Sequence, residues 1–220
     1  MMKPDFDKAA AAAMEILIEQ KITETPIPSL QILLNYKNIR VMSFANMAYN
    51  SEIDRNDLVP LFGQNQDAVT FRLKGMGGVD YVVIYNMKLP FEDIRRSIAR
   101  ELGHIVLGHD GQTRSTEVRK AEALCFANHL LAPRPIINMI QQSGLPFTAN
   151  VLVHTTGCSD DCVEEIKEIP GVHIPPELNR KVREQFAPHI EEYIRFHKAA
   201  PKKDNSPVIS FGNYMDYYTE

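Results

Sequence analysis

Apolar residues recur at helical spacing from residue 6 to residue 21, with Ala10, Ala13, Ile16, Leu17 and Ile18 on one side. Asp7, Lys8 and Glu15 interrupt the run, so it predicts an amphipathic helix and not a secretory signal. Pro26 and Pro28 in "ETPIPSL" cannot continue a helix, and Ser29 is expected to cap a short one reaching Leu34. The period then shortens. "NIRVMSF" (Asn38 to Phe44) alternates and is β-branched, as a strand requires, and "AVTFRL" and "DYVVIYN" read the same way. The glycine-rich "KGMGG" between the last two predicts a hairpin over Ala68 to Asn86.

Helical spacing returns at Phe91, Ile94, Ile98, Leu102 and Ile105, which mark one buried face. Gly108 and "HDG" end that helix. A further helix fits Ser115 to Leu131, stopped by Pro133 and Pro135. From about Pro146 the chain reads as helical but less regular; "IPGVHIPPEL" divides it, and Arg180 to Lys198 forms a charged helix. "AAPKKDNSP" is expected to be a linker, and the closing "YMDYYTE" to be ordered only through a partner or neighbour. No internal repeat is visible. The order of helix, small sheet and helices is that of an α+β protein.

Composition excludes more than it proposes. The 220 residues are 44% hydrophobic and 24% charged, an ordinary globular mixture. A net charge of −4 offers no general attraction for nucleic acid or acidic lipid. Arg95-Arg96 is too short a basic cluster to change that and reads as a solvated helix face. No stretch approaches the roughly 20 apolar residues of a membrane span. Three cysteines give no disulfide framework and suit a reducing, cytoplasmic setting.

The chemistry gathers in "SIARELGHIVLGHDG", Ser97 to Gly111. Two histidines four residues apart on a helix can both reach one zinc ion, and a glutamate after the first can take the proton of the metal-bound water. Here Arg100 and His104 hold the two ligand positions by spacing, and Glu101 that of the general base. Glu122, 18 residues after His104, faces inward among Ala123, Phe126, Ala127 and Leu130, where a carboxylate needs a metal or a cation as partner. Taken alone, Arg-Glu-x-x-His is a weak signal, because these letters meet by chance on many surface helices.

The wider context is more specific. Over most of its first 135 residues the chain resembles the ImmA/IrrE family of metallo-endopeptidases, through "TPIPSLQILL", "NIRVMSF", "DYVVIYN", "RRSIARELGHIVLGH" and "AEALCFANHLLAP" in that order. The last two carry most of the likeness. The family pairs a zinc helix ending in Leu-Gly-His with a segment matched here by Glu122, Ala123, Phe126, Ala127, Leu130, Leu131 and Pro133. The resemblance implies a zincin-like fold, with a small, mostly antiparallel sheet packed on the active-site helices. It also implies a metallopeptidase domain over 1–135, a helical region over 136–198, and a linker and tail over 199–220. By the same resemblance His104 and Glu122 are zinc ligands and Glu101 the general base, and the partner is a protein, such as a helix-turn-helix repressor of phages or mobile elements.

Arg100 departs from that pattern. A guanidinium is protonated at any physiological pH, offers only donors, and repels a dication. Two readings follow. In one, the chain is a cytosolic hydrolase with a compensating ligand; His109 is the candidate, although five residues carry it roughly 140° around an ideal helix unless the helix ends at Gly108. In the other, Arg100 pairs with Glu122 or Glu101 in place of the metal, and the chain is a non-catalytic binding module.

Other clusters carry less. His154, Cys158 and Cys162 are spaced four apart, but "TTGCSDDC" lacks a fourth ligand, and idle cysteines are expected. Cys125 reads as a small core side chain, and His173 and His189 as surface or packing residues. "KGMGG" lacks the lysine and hydroxyl of a phosphate loop.

Overall fold

Ile84, at the middle of a three-stranded sheet, is buried against Met42, Phe44, Met47, Val69 and Val82. The computed structural model describes residues 3–36, 39–51, 67–73, 81–111, 114–159 and 171–199. The strands are β1 (Ile39–Ser43), β2 (Ala68–Arg72) and β3 (Tyr81–Tyr85), in the order β1-β3-β2. β2 and β3 pair antiparallel, with Ala68 opposite Tyr85 and Arg72 opposite Tyr81, as a hairpin requires. The glycine-rich turn lies outside the described residues.

The expectation of a mostly antiparallel sheet is corrected, because β1 runs parallel to β3, with Ile39 opposite Tyr81. Phe44, expected to close the strand, instead opens helix α3 (Phe44–Ser51), and β3 stands between β1 and β2, so the connection from β1 to its parallel neighbour passes through α3 and β2. The sheet is mixed, and the protein is α+β.

Helix α1 spans Phe6–Glu19, with the Asp5 carboxylate accepting from the Lys8 backbone N–H at 3.1 Å as its cap. Helix α2 spans Ser29–Asn35. Ser29 is not the expected cap: Pro28 holds that place, and the buried Ser29 hydroxyl donates to the Arg95 carbonyl at 3.0 Å. That bond ties α2 to helix α4 (Phe91–Val106), which also packs on β2 and β3. Two expectations for α4 fail. Phe91 is 71% exposed at its first turn, and Arg95 is buried rather than solvated.

Helix α5 spans Thr116–Leu131 and α6 spans Arg134–Gln142. Pro135 stops nothing: Pro133 caps α6 and Pro135 sits in its first turn, where a missing N–H costs little. Helices α7 (Ala149–Thr156) and α8 (Pro176–Ala199) follow, the latter longer than expected at its start. Among the described residues no helix is long and apolar enough to cross a membrane.

The contacts divide the chain into two compact units, Met1–Pro4 with Pro28–Ala127, and Asp5–Ile27 with Asn128–Glu220. In the second, α8 packs on α1 and α6 through Val182, Phe186 and Ile190, which repeat every four residues. Gln185 donates from Nε2 to the Leu17 carbonyl at 2.8 Å and to that of Ile22, and His189 meets the Thr25 hydroxyl at 3.2 Å. His189 is thus a packing residue. The first unit holds the sheet, α2, α3, α4 and the Glu122 end of α5.

Candidate functional site

Gly103 sets the spacing of the two helices that matter. A methyl group there would meet Cδ1 of Phe126 at 3.0 Å and the Ala123 carbonyl at 3.2 Å, so the bare glycine lets α4 and α5 approach closely. Glu101 and His104 ride on one of these helices, and Glu122 on the other.

Glu101 is 7% exposed and accepts from the Thr70 hydroxyl of β2 at 2.6 Å. Burial raises its carboxyl above the ordinary range, against the opposing pull of Thr70 and of the Arg100 charge. A carboxyl poised in this way suits a general base.

Arg100 stays at the rim. Its ion pair among the described residues is a long one, 3.9 Å to Asp67. It meets neither Glu122 nor Glu101 within salt-bridge distance, so the pairing expected from sequence is not the one formed.

The carboxylate of Glu122, 3% exposed, is met by other groups. Arg114 donates from Nη1 to Oε1, and the His109 ring lies with Nε2 at 3.1 Å from Oε2. His109 arrives there because the helix ends early. Leu107 caps α4, Gly108 turns left-handed at φ +67°, and His109–Gly111 form one 3-10 turn. The turn is anchored through Asp110, which takes Arg72 at 2.8 Å and the Tyr81 hydroxyl at 3.3 Å. Those two residues face each other across β2 and β3. Arg119 adds a bond from Nη1 to the His109 carbonyl at 3.1 Å.

On its other side His109 approaches His104, with 2.9 Å between the two Nδ1 atoms. Burial first, and then the charges nearby, fix the protons in this row. The His104 ring is pushed down to about 4, by burial and then by His109, Arg100, Arg119 and Lys120. Burial also lowers His109, against the pull of Glu122. Both rings are therefore neutral at pH 7, and the carboxylate dictates their tautomers. His109 donates from Nε2 to Glu122 and accepts at Nδ1; His104 must then donate from Nδ1. The Nε2 of His104 keeps its lone pair and has no partner among the described residues.

Three of the residues singled out from sequence thus meet in a row, His104, His109 and Glu122, while Arg100 stands apart. This row does not fit a zinc ion. A tetrahedral site needs one donor atom from each ligand pointing at a common centre. The two nitrogens of His109 face different residues, both Glu122 oxygens are engaged, and Arg100 has no lone pair to give. One available donor remains, Nε2 of His104. Among the described residues no three His, Cys, Asp or Glu side chains are grouped to hold a metal ion.

The second candidate set does not assemble. Gly157 ends α7 at φ 62°, leaving His154 exposed and Cys158 buried, while Cys162 lies outside the described residues. Cys125 is buried, as expected, and neither it nor Cys158 is in a disulfide. His173 is exposed, and its backbone N–H donates to Asp7 at 2.8 Å.

Sequence reading missed Arg114, Thr70, Asp110, Tyr81, Arg72 and Arg119. Asp110 was in view as turn chemistry only, and nothing in the letters around Arg114 points to Glu122. In comparison with known proteins, no family model and no curated sequence matches the chain.

Proposed function

We propose that this chain is a metal-free, non-hydrolytic module of the ImmA/IrrE type that works by binding a protein, with a helix-turn-helix repressor as the partner class. Two supports of different kinds bear on this reading. The motif residues of α4 and α5 supply the resemblance. The observation that carries it is the Glu122 carboxylate, held by the Arg114 guanidinium and by His109. A buried carboxylate in this position requires a positive partner, and an arginine satisfies that requirement without supplying a Lewis acid.

The hydrolase reading draws on the closeness of His104, His109 and Glu122. It requires the His109 ring to turn so that one nitrogen faces the centre shared with His104, and it requires Arg114 to leave Glu122. Glu101 would then take the proton of a metal-bound water.

Metal analysis of the purified protein separates the two. Far less than one zinc per chain is expected; about one per chain would overturn the proposal. Substituting Arg100→His together with Arg114→Gln should create zinc affinity that the parent lacks, and equal binding by both proteins argues for the hydrolase. A repressor of this class should co-elute with the protein uncleaved.

A further inference from the structure

The apolar stripe of α8 outlasts the helices that cover it. Val182, Phe186 and Ile190 are buried where α8 packs on α1 and α6, and the same spacing continues at Tyr193, Ile194 and His197. Those three are only half-buried, and Phe196 beside them is 63% exposed. The rings are held against one another. His197 donates from Nδ1 to the Tyr193 carbonyl at 2.9 Å, and its ring centre lies 4.0 Å from that of Tyr193. Phe196 meets the same ring edge-on at 5.4 Å. With His189 and Ala199 they line an open groove of about 530 Å³ whose wall is mostly apolar. An aromatic face of this kind, open to water, is the mark of a docking surface.

The chain itself supplies an occupant. Ala199, the last of the described residues, lines the groove, and residues 200–220 follow directly outside them. Their first part, "APKKDNSP", is polar and carries Pro201 and Pro207. Then Phe211, Tyr214, Met215, Tyr217 and Tyr218 fall close together. Residues 200–210 reach roughly 36 Å when extended, whereas the helix from His189 to Ala199 is about 15 Å long. The segment from Phe211 onward can therefore return along the whole groove. Charge agrees with this. The charged side chains after Pro207 are Asp216 and Glu220, and the rim presents Arg195 and the exposed Lys198. Glu192, also on the rim, is met by Arg195 at 3.8 Å.

We infer that the closing segment of this chain, Phe211 to Tyr218, docks on the Tyr193–Phe196–His197 face of α8 and fills the groove. A tether this short holds the segment at an effective concentration on the order of millimolar, so a modest contact suffices. The inference goes beyond the metal question and is independent of it, because His104, His109 and Glu122 belong to the other compact unit.

Limited chymotrypsin digestion of the full chain reads the docking, since the segment's own aromatic residues are the cleavage sites. Phe196→Ser, at an exposed position, should speed cleavage after Tyr214, Tyr217 and Tyr218 about tenfold and leave the urea midpoint where it was. Phe211→Ser changes the segment and not the helix, and should speed cleavage at the same three tyrosines. Phe91→Ser, at the 71% exposed position on α4, should leave the rate unchanged. In NMR of the parent, the Met215 methyl should show cross-relaxation with the ring protons of Phe196 or Tyr193.

Equal cleavage rates in parent, Phe196→Ser and Phe211→Ser overturn the inference, as does a Met215 methyl with no contact to either ring. Protection that grows with protein concentration, together with a doubled mass, would mean that a second copy fills the groove, and overturns it too.

Discussion

Arg114 donates to the Oε1 of Glu122, bringing a charge from the segment before α5 onto a carboxylate that is 3% exposed. Arg114 itself is 23% exposed, so the pair is shielded on the carboxylate side and open on the other. Replacing Arg114 with alanine leaves the carboxylate with His109 as its remaining support described above. The cost is expected at about 1–3 kcal/mol, read as a lower urea midpoint. Combining Arg114→Ala with Glu122→Gln should recover most of the loss, because the buried charge goes too. A double variant no better than the single would deny that the charge is what Arg114 serves.

Gly103→Ala tests the approach of α4 to α5. The Phe126 ring can turn, but the Ala123 carbonyl at 3.2 Å is backbone and cannot yield without moving the helix. Despite alanine's better helix propensity, a loss of about 1–3 kcal/mol is expected in denaturant unfolding. A stabilised Gly103→Ala variant would mean that the helices have slack between them.

Glu101 and His104 of α4 pull the pH dependence of stability in opposite directions. His104 takes a proton near 6.5 in the unfolded chain and near 4 in the folded one, so between these values the unfolded state binds more protons. Stability falls as pH drops through that window, by on the order of 3 kcal/mol. Glu101, raised above its ordinary 4.5, keeps its proton longer when folded, so its contribution falls as pH rises through the raised value. His104→Gln should flatten the acid limb of a plot of urea midpoint against pH. Glu101→Gln should leave that limb in place and gain on the parent as pH rises.

Asp110 holds the turn that presents His109. Its pair with Arg72 is partly exposed, at 56% and 25%, so Asp110→Asn should cost no more than about 1 kcal/mol. The informative readout is the His109 ring resonance, which should shift and broaden while those of His173 and His197 stay fixed. An unmoved His109 signal would assign the turn's geometry to Gly108 alone.

The parts of this structure legible in the sequence were those carried by repeating patterns. The spacing of Ile98, Leu102 and Ile105 placed α4, and the alternation in "AVTFRL" and "DYVVIYN" placed the hairpin strands. Gly108 gave the condition under which His109 returns to His104, and the chain meets it. What stayed hidden depends on contacts between elements. That β1 runs parallel to β3 follows from β3 standing between β1 and β2, an order that no alternation within "NIRVMSF" reports. The buried state of Arg95 belongs to a helix otherwise patterned as expected. The sequence calls for a metal or a cation beside Glu122, and that the partner is Arg114 rather than Arg100 comes from a loop with no period to read.

The salt link at Glu122 also bears on how the protein lives in a cell. A counter-ion tethered through the main chain cannot be stripped by a chelator or diluted away, so this link between α5 and the segment before it should form as soon as the chain folds.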